Sequence, residues 1–280
     1  MIQKRVAAIH DISCFGKCSL TVALPIISAA GIECAGIPTA VLSTHTGGFS
    51  GYTFRDLTDD ILPIAQHWKK ENITVDAVYT GYLGSKEQIE IVKNAINYIK
   101  KEDTLLIVDP VMADHGKLYG GFPEDFPMEM KKLCQIADII TPNFTEAAFM
   151  LGEEYKPGPY TKEYVEDMLA KLKIMCKEGC KIVLTGVCFN ETEIGAACLE
   201  DGKISYVFSK HVDAAYHGTG DVFTSALTCG ILNGKTLTQA AQIASDFTAG
   251  CIKLTKEEYP YMKYGVNFEA KLTELIEAFR

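Results

Sequence analysis

The stretch "AAYHGTGDVFTSAL", residues 214–227, sets Gly218, Thr219, Gly220 and Asp221 between a polar segment and an apolar run. Two glycines one residue apart permit a backbone turn that side chains resist. Beyond them Val222, Ala226, Leu227, Gly230 and Ile231 recur at helical spacing. A glycine turn feeding a helix start presents bare peptide N–H groups, the geometry of an anion site. Taken alone, the stretch reads first as a plain helix start, with Asp221 an acid complementing the helix dipole. What the rest of the chain brings to this turn decides between the two.

Outward from the turn, short β-type runs alternate with longer helical patterns. Strands are expected at 6–10, 37–43, 76–83, 104–112, 137–143 and 181–187. Helices are expected at 18–30, 53–71, 86–101, 145–151, 161–177, 221–233, 238–255 and 267–279. The run 195–209 reads as a hairpin about Asp201-Gly202-Lys203. Such alternation specifies a three-layer α/β/α fold, a mostly parallel central sheet with helices on both faces. No Pro/Ser-rich linker, charge block or internal repeat divides residues 1–280, so one domain is expected.

Composition narrows the partners. The chain has 48% hydrophobic and 22% charged residues, an ordinary globular balance. Lys plus Arg number 27 against 36 Asp plus Glu, a net charge of −9, which argues against nucleic acid or an anionic membrane surface as the main partner. A local cradle of N–H groups or a metal can still bind an anion against that field. The ten cysteines include two pairs four residues apart, Cys14/Cys18 and Cys176/Cys180, with no two-residue spacing and no histidine at zinc-finger distance. Free thiols in a reducing cytosol are the expectation. Lys4 and Arg5 lead straight into "VAAIHD" with no signal-peptide pattern, and Pro25, Gly31, Glu33, Gly36 and Pro38 interrupt the most apolar stretch. A cytoplasmic protein that spans no membrane is expected.

In sheets of this kind ligands sit outside the carboxyl ends of the strands. Those ends carry His10 and Asp11, "STHTGGFSG" (43–51), "TGYLGS" (80–85), "DPVMADHG" (109–116), "TPNFTEA" (141–147) and "TGV" (185–187). Asp11, Asp109, Asp114, Glu146 and Asp221 thus share one rim, where carboxylates repel unless a cation sits among them; oxygen ligands suit Mg²⁺. Phosphoryl transfer needs an anion cradle, a divalent ion and a group that orients or deprotonates the attacking hydroxyl. Residues 218–220 fit the cradle, Asp109 and Glu146 the metal shell, and Asp221 the base.

The ordered set "TGYLGS", "DPVM", "TPN" followed by an acid, and "GTGD" opening a helix resembles the ribokinase-like superfamily. Within it the chain is most similar to pyridoxal kinases, whose His-Thr substrate loop "STHTGGFSG" resembles. The resemblance runs from about residue 4 to 255. It implies ATP-dependent phosphorylation of the 5′-hydroxymethyl group of pyridoxal, pyridoxamine or pyridoxine, with Mg²⁺, a monovalent cation (K⁺ or Na⁺) and a homodimer. Asp221 matches the catalytic aspartate, and Gly218, Thr219 and Gly220 the anion hole. Asp109 and Glu146 match acids that organise Mg²⁺; Asn143 and Thr185 match residues near the nucleotide phosphates. Asp11, Thr46 and Tyr82 match positions that hold the pyridine ring, and His45 precedes that contact. Many pyridoxal kinases carry serine where this chain has Asp11; a carboxylate there suits a protonated pyridine nitrogen.

Two alternatives share the scaffold. A hydroxymethylpyrimidine kinase of thiamin synthesis usually opens with a Gly-rich "SGG"-type segment after the first strand, which "HDISCFGKCS" lacks. A catalytically silent vitamin-binding protein needs neither Asp221 nor the donors at 218–220. A dinucleotide dehydrogenase is excluded because no GxGxxG follows the first strand.

Overall fold

The structure, a computed structural model, describes residues 3–259 and 264–280. Its strands are β1 (Arg5–Ser13), β2 (Glu33–Leu42), β3 (Phe54–Asp56), β4 (Val75–Thr80), β5 (Lys100–Val108), β6 (Ala113–Asp114), β7 (Lys117–Leu118), β8 (Ile139–Ile140), β9 (Lys181–Val187), β10 (Glu193–Glu200) and β11 (Lys203–Lys210). Its α-helices are α1 (Leu20–Ala29), α2 (Thr58–Lys70), α3 (Lys86–Ile99), α4 (Phe126–Cys134), α5 (Phe144–Leu151), α6 (Lys162–Met175), α7 (Thr219–Leu232), α8 (Leu237–Glu258) and α9 (Leu272–Phe279).

Nine strands form one sheet in the order β11-β10-β9-β8-β5-β4-β1-β2-β3. The six strands from β9 to β2 run parallel, and antiparallel strands close both edges. Alternation along the buried strands feeds two cores. In β1, Ala7 and Ile9 face α2 to α6, whereas Val6 and Ala8 face α1, α7, α8 and α9. Strands apolar on both faces cannot be left open to water, so helices cover both. Each fully buried Ile or Val in them contributes about 1.5–3 kcal/mol. The three-layer, mostly parallel arrangement expected from the alternation is the one observed.

The direction of winding reverses at β1. From β1 the chain goes to β2 on one side, and through β4, β5, β8 and β9 on the other. The carboxyl ends of β1 and β4 therefore flank a topological switch point, the favoured ligand crevice of such sheets. Thr80 and Ser13 end those strands, and the loop after β1 packs on the start of α7: Lys17 O lies 2.0 Å from where a Cβ on Gly218 would stand.

Several boundaries differ from the sequence reading. Residues 54–56, read as the first turn of a helix, pair instead with β2, and Asp56 Oδ1 then accepts the Thr58 N–H at 2.7 Å to start α2. The strand expected at 137–143 shrinks to Ile139–Ile140, because Pro142 cannot donate to a ladder. The strand expected at 104–112 ends at Val108, before Pro110. Helix α4 and the β6–β7 hairpin were not anticipated. Helix α7 begins at Thr219 rather than 221, so Gly220 and Asp221 lie within its first turn.

Candidate active site

Gly218 caps α7 in the left-handed region, φ 78°. Two constraints demand glycine here: that φ, and the Lys17 carbonyl on the space a Cβ would fill. The first helical bond runs from Val222 N to Gly218 O at 3.0 Å. No side chain caps the helix, and the amide groups of Thr219, Gly220 and Asp221 have no backbone acceptor among the described residues. Gly220 is exposed and Thr219 half-buried, so these donors face the crevice from the positive end of the helix dipole.

Asp221 stands beside them, its side chain 11% exposed. Oδ2 accepts the Ser19 N–H at 2.9 Å, and Oδ1 lies 3.9 Å from His10 Nδ1. Burial pushes the Asp221 carboxyl up to about 7; the Ser19 N–H opposes that rise and Asp11 adds to it. Asp11 is itself buried, with Ser13 Oγ donating to Oδ2 at 2.9 Å and Ser19 Oγ to Oδ1. Its carboxyl is also raised by burial, against the two serines. Ser19 therefore bridges the acids at 11 and 221, from a backbone with φ 56° that non-glycine residues seldom adopt. His10 lies under the site, fully buried, with neither ring nitrogen partnered among the described residues; desolvation lowers it to about 3, so it is neutral. Neither Ser19 nor His10 emerged as a site residue from the sequence. The signal for His10 was its place before Asp11 at a strand end, and no local signal marks Ser19.

Asp109 and Glu146 occupy the neighbouring rim. Asp109 is buried, takes the Thr224 hydroxyl on Oδ2 at 3.2 Å, and points toward Gly220: Oδ2 is 3.8 Å from a Cβ built there. Burial, then the Asp221 charge, raise its carboxyl well above the ordinary range. Glu146 is buried too, raised by burial and then by Asp109. It accepts N–H groups from Met112 at 3.2 Å and Asn143 at 2.9 Å. Asn143 completes a capping box on α5: Oδ1 takes the Glu146 N–H at 2.9 Å while Nδ2 donates to Ala113 O at 2.9 Å. Thr185 bridges to Asn143, with its amide on Pro142 O at 2.9 Å.

On the other side, His45 is buried against Phe49, with ring centroids 5.0 Å apart, and faces exposed His217 at 5.3 Å. Burial, then His217, lower the His45 imidazole, against a hydrogen bond to the Tyr264 backbone. Thr46 is exposed. Tyr82 is half-buried against Phe122, 5.5 Å between centroids, and burial followed by the Asp11 charge raises its hydroxyl to about 12. The fold thus brings Asp11, Asp109, Asp221 and residues 218–220 together; Glu146 adjoins Asp109, while Asn143 and Thr185 are engaged in local backbone contacts.

An open helix start flanked by buried acids, at the switch point of a mostly parallel sheet, defines a ribokinase-like phosphotransferase. A model of the phosphomethylpyrimidine kinase family matches residues 24–266. The pyridoxine kinase of Bacillus subtilis is 30% identical over 198 residues, 69% of each chain. A Bacteroides thetaiotaomicron crystal structure with pyridoxal, of a protein provisionally assigned as a phosphomethylpyrimidine kinase, superposes with a TM-score of 0.89 at 37% identity, covering 98% of this chain and 96% of that one. The Lactobacillus plantarum pyridoxal kinase gives 0.90 at 29% identity, covering 99% and 98%. The chain belongs to the phosphomethylpyrimidine kinase family, within the ribokinase-like superfamily. Membership implies an ATP-dependent kinase that works with a divalent metal. Among the described residues no helix is long and apolar enough to cross a membrane.

Proposed function

We propose that the protein, as one kinase domain, phosphorylates the 5′-hydroxymethyl group of a B6 vitamer (pyridoxal, pyridoxamine or pyridoxine) with ATP. The observation that carries the reading is the Asp221 carboxylate beside three peptide N–H groups that have no backbone acceptor among the described residues. The choice of vitamer class is supported by the pyridoxal-containing neighbour at 37% identity and by the pyridoxine kinase relative.

In this reading Asp221 accepts the hydroxyl proton as the alcohol oxygen bonds to the γ-phosphorus. The bond from that phosphorus to the bridging oxygen breaks, and ADP leaves with the electron pair. An aspartate is a weak base toward an alcohol, and a loose transition state asks for proton transfer only late. The amides of Thr219, Gly220 and Asp221 hold the transferring phosphoryl oxygens, each such donor typically lowering the barrier by about 3 kcal/mol. Asp109 and Glu146 suit Mg²⁺: both are oxygen donors raised by burial and charge. Among the described residues no group of three His, Cys, Asp or Glu could hold an ion; a Mg²⁺ held by Asp109 and Glu146 would need its other oxygen ligands from phosphate and water. That ion supplies neutralisation of phosphate charge. Asn143 and Thr185 line the nucleotide side, and Asp11, His45, Thr46 and Tyr82 the ring side.

A relative named hydroxymethylpyrimidine/phosphomethylpyrimidine kinase favours a second acceptor, a hydroxymethylpyrimidine, which presents the same primary alcohol on a nitrogen heterocycle. ADP release with the three vitamers, hydroxymethylpyrimidine and ribose, beside Asp221→Asn, separates the readings. The highest kcat/KM on a vitamer, with the Asn variant lowered by about 10²–10⁴-fold, is expected. Highest turnover on the pyrimidine or ribose refutes the vitamer, and an unaffected variant refutes the base.

A further inference from the structure

His10 is a buried titratable group 3.9 Å from the proposed base, and nothing in the reaction above employs it. Its ring is wholly enclosed in the layer beneath the crevice, edge-on to Tyr79 with centroids 4.3 Å apart. Gly81 makes room for it: a Cβ there would stand 2.2 Å from Nδ1 and 2.3 Å from Cε1. The glycine of "TGYLGS" therefore seats the imidazole rather than relaxing a turn, since its own amide is held by Ile9 O at 3.2 Å. Among the described residues neither ring nitrogen has a hydrogen-bond partner, although a buried polar group without one costs about 1–3 kcal/mol. An unsatisfied buried group of this kind marks a place where stability yields to another use. One nitrogen faces an acceptor: Nδ1 is 3.9 Å from Asp221 Oδ1, somewhat too long for a hydrogen bond. Catalytic hydrogen bonds of this kind tighten when reactants bind.

We infer that His10 is a positioning residue for Asp221, its neutral imidazole donating Nδ1–H to Oδ1 as the site fills. The inference rests on the reading of Asp221 as the base. Ser19 already holds Oδ2 through its N–H at 2.9 Å, so a second donor on Oδ1 fixes the plane of the carboxylate. The remaining lone pairs are then set toward the acceptor alcohol instead of turning about the side-chain bond. A carboxylate accepts only, which selects the tautomer with the proton on Nδ1. Orientation of a base acts on the transition state more than on binding, so the loss falls on kcat.

Four variants test this on the full chain: His10→Leu, His10→Asn, His10→Gln and Asp221→Asn, with His10→Leu also combined with Asp221→Asn. An Asn amide nitrogen reaches the place of Nδ1, whereas a Gln amide reaches that of Nε2. We expect His10→Leu to lower kcat by about 10–100-fold with both KM values within about twofold. His10→Asn should recover most of that loss and His10→Gln little. In the Asp221→Asn background His10→Leu should cost under about twofold, because the two act as one unit. Equal recovery by Asn and Gln, an undiminished His10→Leu effect without Asp221, or an unchanged kcat in His10→Leu overturns the inference. An Asp221→Asn enzyme with normal kcat refutes the base itself, a distinct failure. Where His10→Leu does not fold, the Asn–Gln comparison stands in its place. The ¹⁵N shifts of the His10 ring give a reading free of turnover: protonated Nδ1 is expected, and a proton on Nε2 alone overturns the inference.

Discussion

Ser19 joins two acids that repel each other, its N–H on Asp221 and its hydroxyl on Asp11, from a backbone at φ 56°. Side chains cost about 1–2 kcal/mol in the left-handed region. Ser19→Gly removes the hydroxyl and relieves the backbone, whereas Ser19→Ala removes the hydroxyl alone. The glycine variant should therefore unfold at the higher temperature, and the reverse order in thermal denaturation contradicts the strain. Gly218→Ala meets both a φ of 78° and the Lys17 carbonyl, so the N-terminus of α7 must shift. A loss of about 10²-fold or more in kcat is expected, the value of one misplaced phosphoryl-oxygen donor; retained kcat would remove these amides from the chemistry. The pH dependence follows from Asp221. Asp221 must be ionised to accept a proton, and burial raises it to about 7. Thus kcat/KM should fall about tenfold per unit below that pH, and a profile flat from pH 5 to 8 excludes it as the base.

The α5 cap shows how an element serves the site. Asn143 and Glu146 satisfy each other's backbone amides at the helix start, which holds the Glu146 carboxylate next to Asp109. Asn143→Ala should lower stability by about 1 kcal/mol, read in urea unfolding, and raise the KM for ATP by freeing Glu146; an unchanged KM limits Asn143 to the cap. The motif "TPN" with its acid was legible as a strand-end loop and as a family motif, whereas its capping box, although a local pattern, emerged only with the structure. Strands β4, β9 and the β10–β11 hairpin were legible too, as apolar runs between turn residues. Other elements depend on partners remote in sequence. Residues 54–56 form a strand because β2 offers an open edge, and only the fold supplies that edge. Helix α4 begins with Pro127 in its first turn and carries Lys131 and Lys132 near its end, signals too short to stand out between loops. At the site, strand-end position exposed Asp11 and Asp109 to view, and the glycine turn opening a helix exposed Asp221. The seating of His10 on Gly81 and the Ser19 bridge come from side chains brought together across 71 and 202 positions of chain.

Across the whole molecule, the switch point gathers four carboxyls, at 11, 109, 146 and 221, and burial is the leading cause that raises each one. The fold holds them against their own preference, a cost that a functional site carries and an inert protein would shed. The sign follows from linkage. For Asp221, raised from 3.8 to about 7, the folded state binds its proton more tightly than the unfolded chain. Its contribution to stability is therefore full below about pH 4 and is lost as pH rises through 7; the other three shift in the same sense. A divalent cation reverses the balance, since it binds the ionised acids and is favoured as protons leave. Mg²⁺ should raise Tm more at pH 8 than at pH 6. Asp109→Asn removes one charge while keeping an acceptor for Thr224, so it should raise the metal-free Tm at pH 8 by about 2–4 °C and abolish most of the Mg²⁺ increment. Thermal unfolding of both proteins, with and without Mg²⁺ at each pH, measures all of this together. An increment that is equal at the two pH values, or that survives in Asp109→Asn, moves the cation away from this rim.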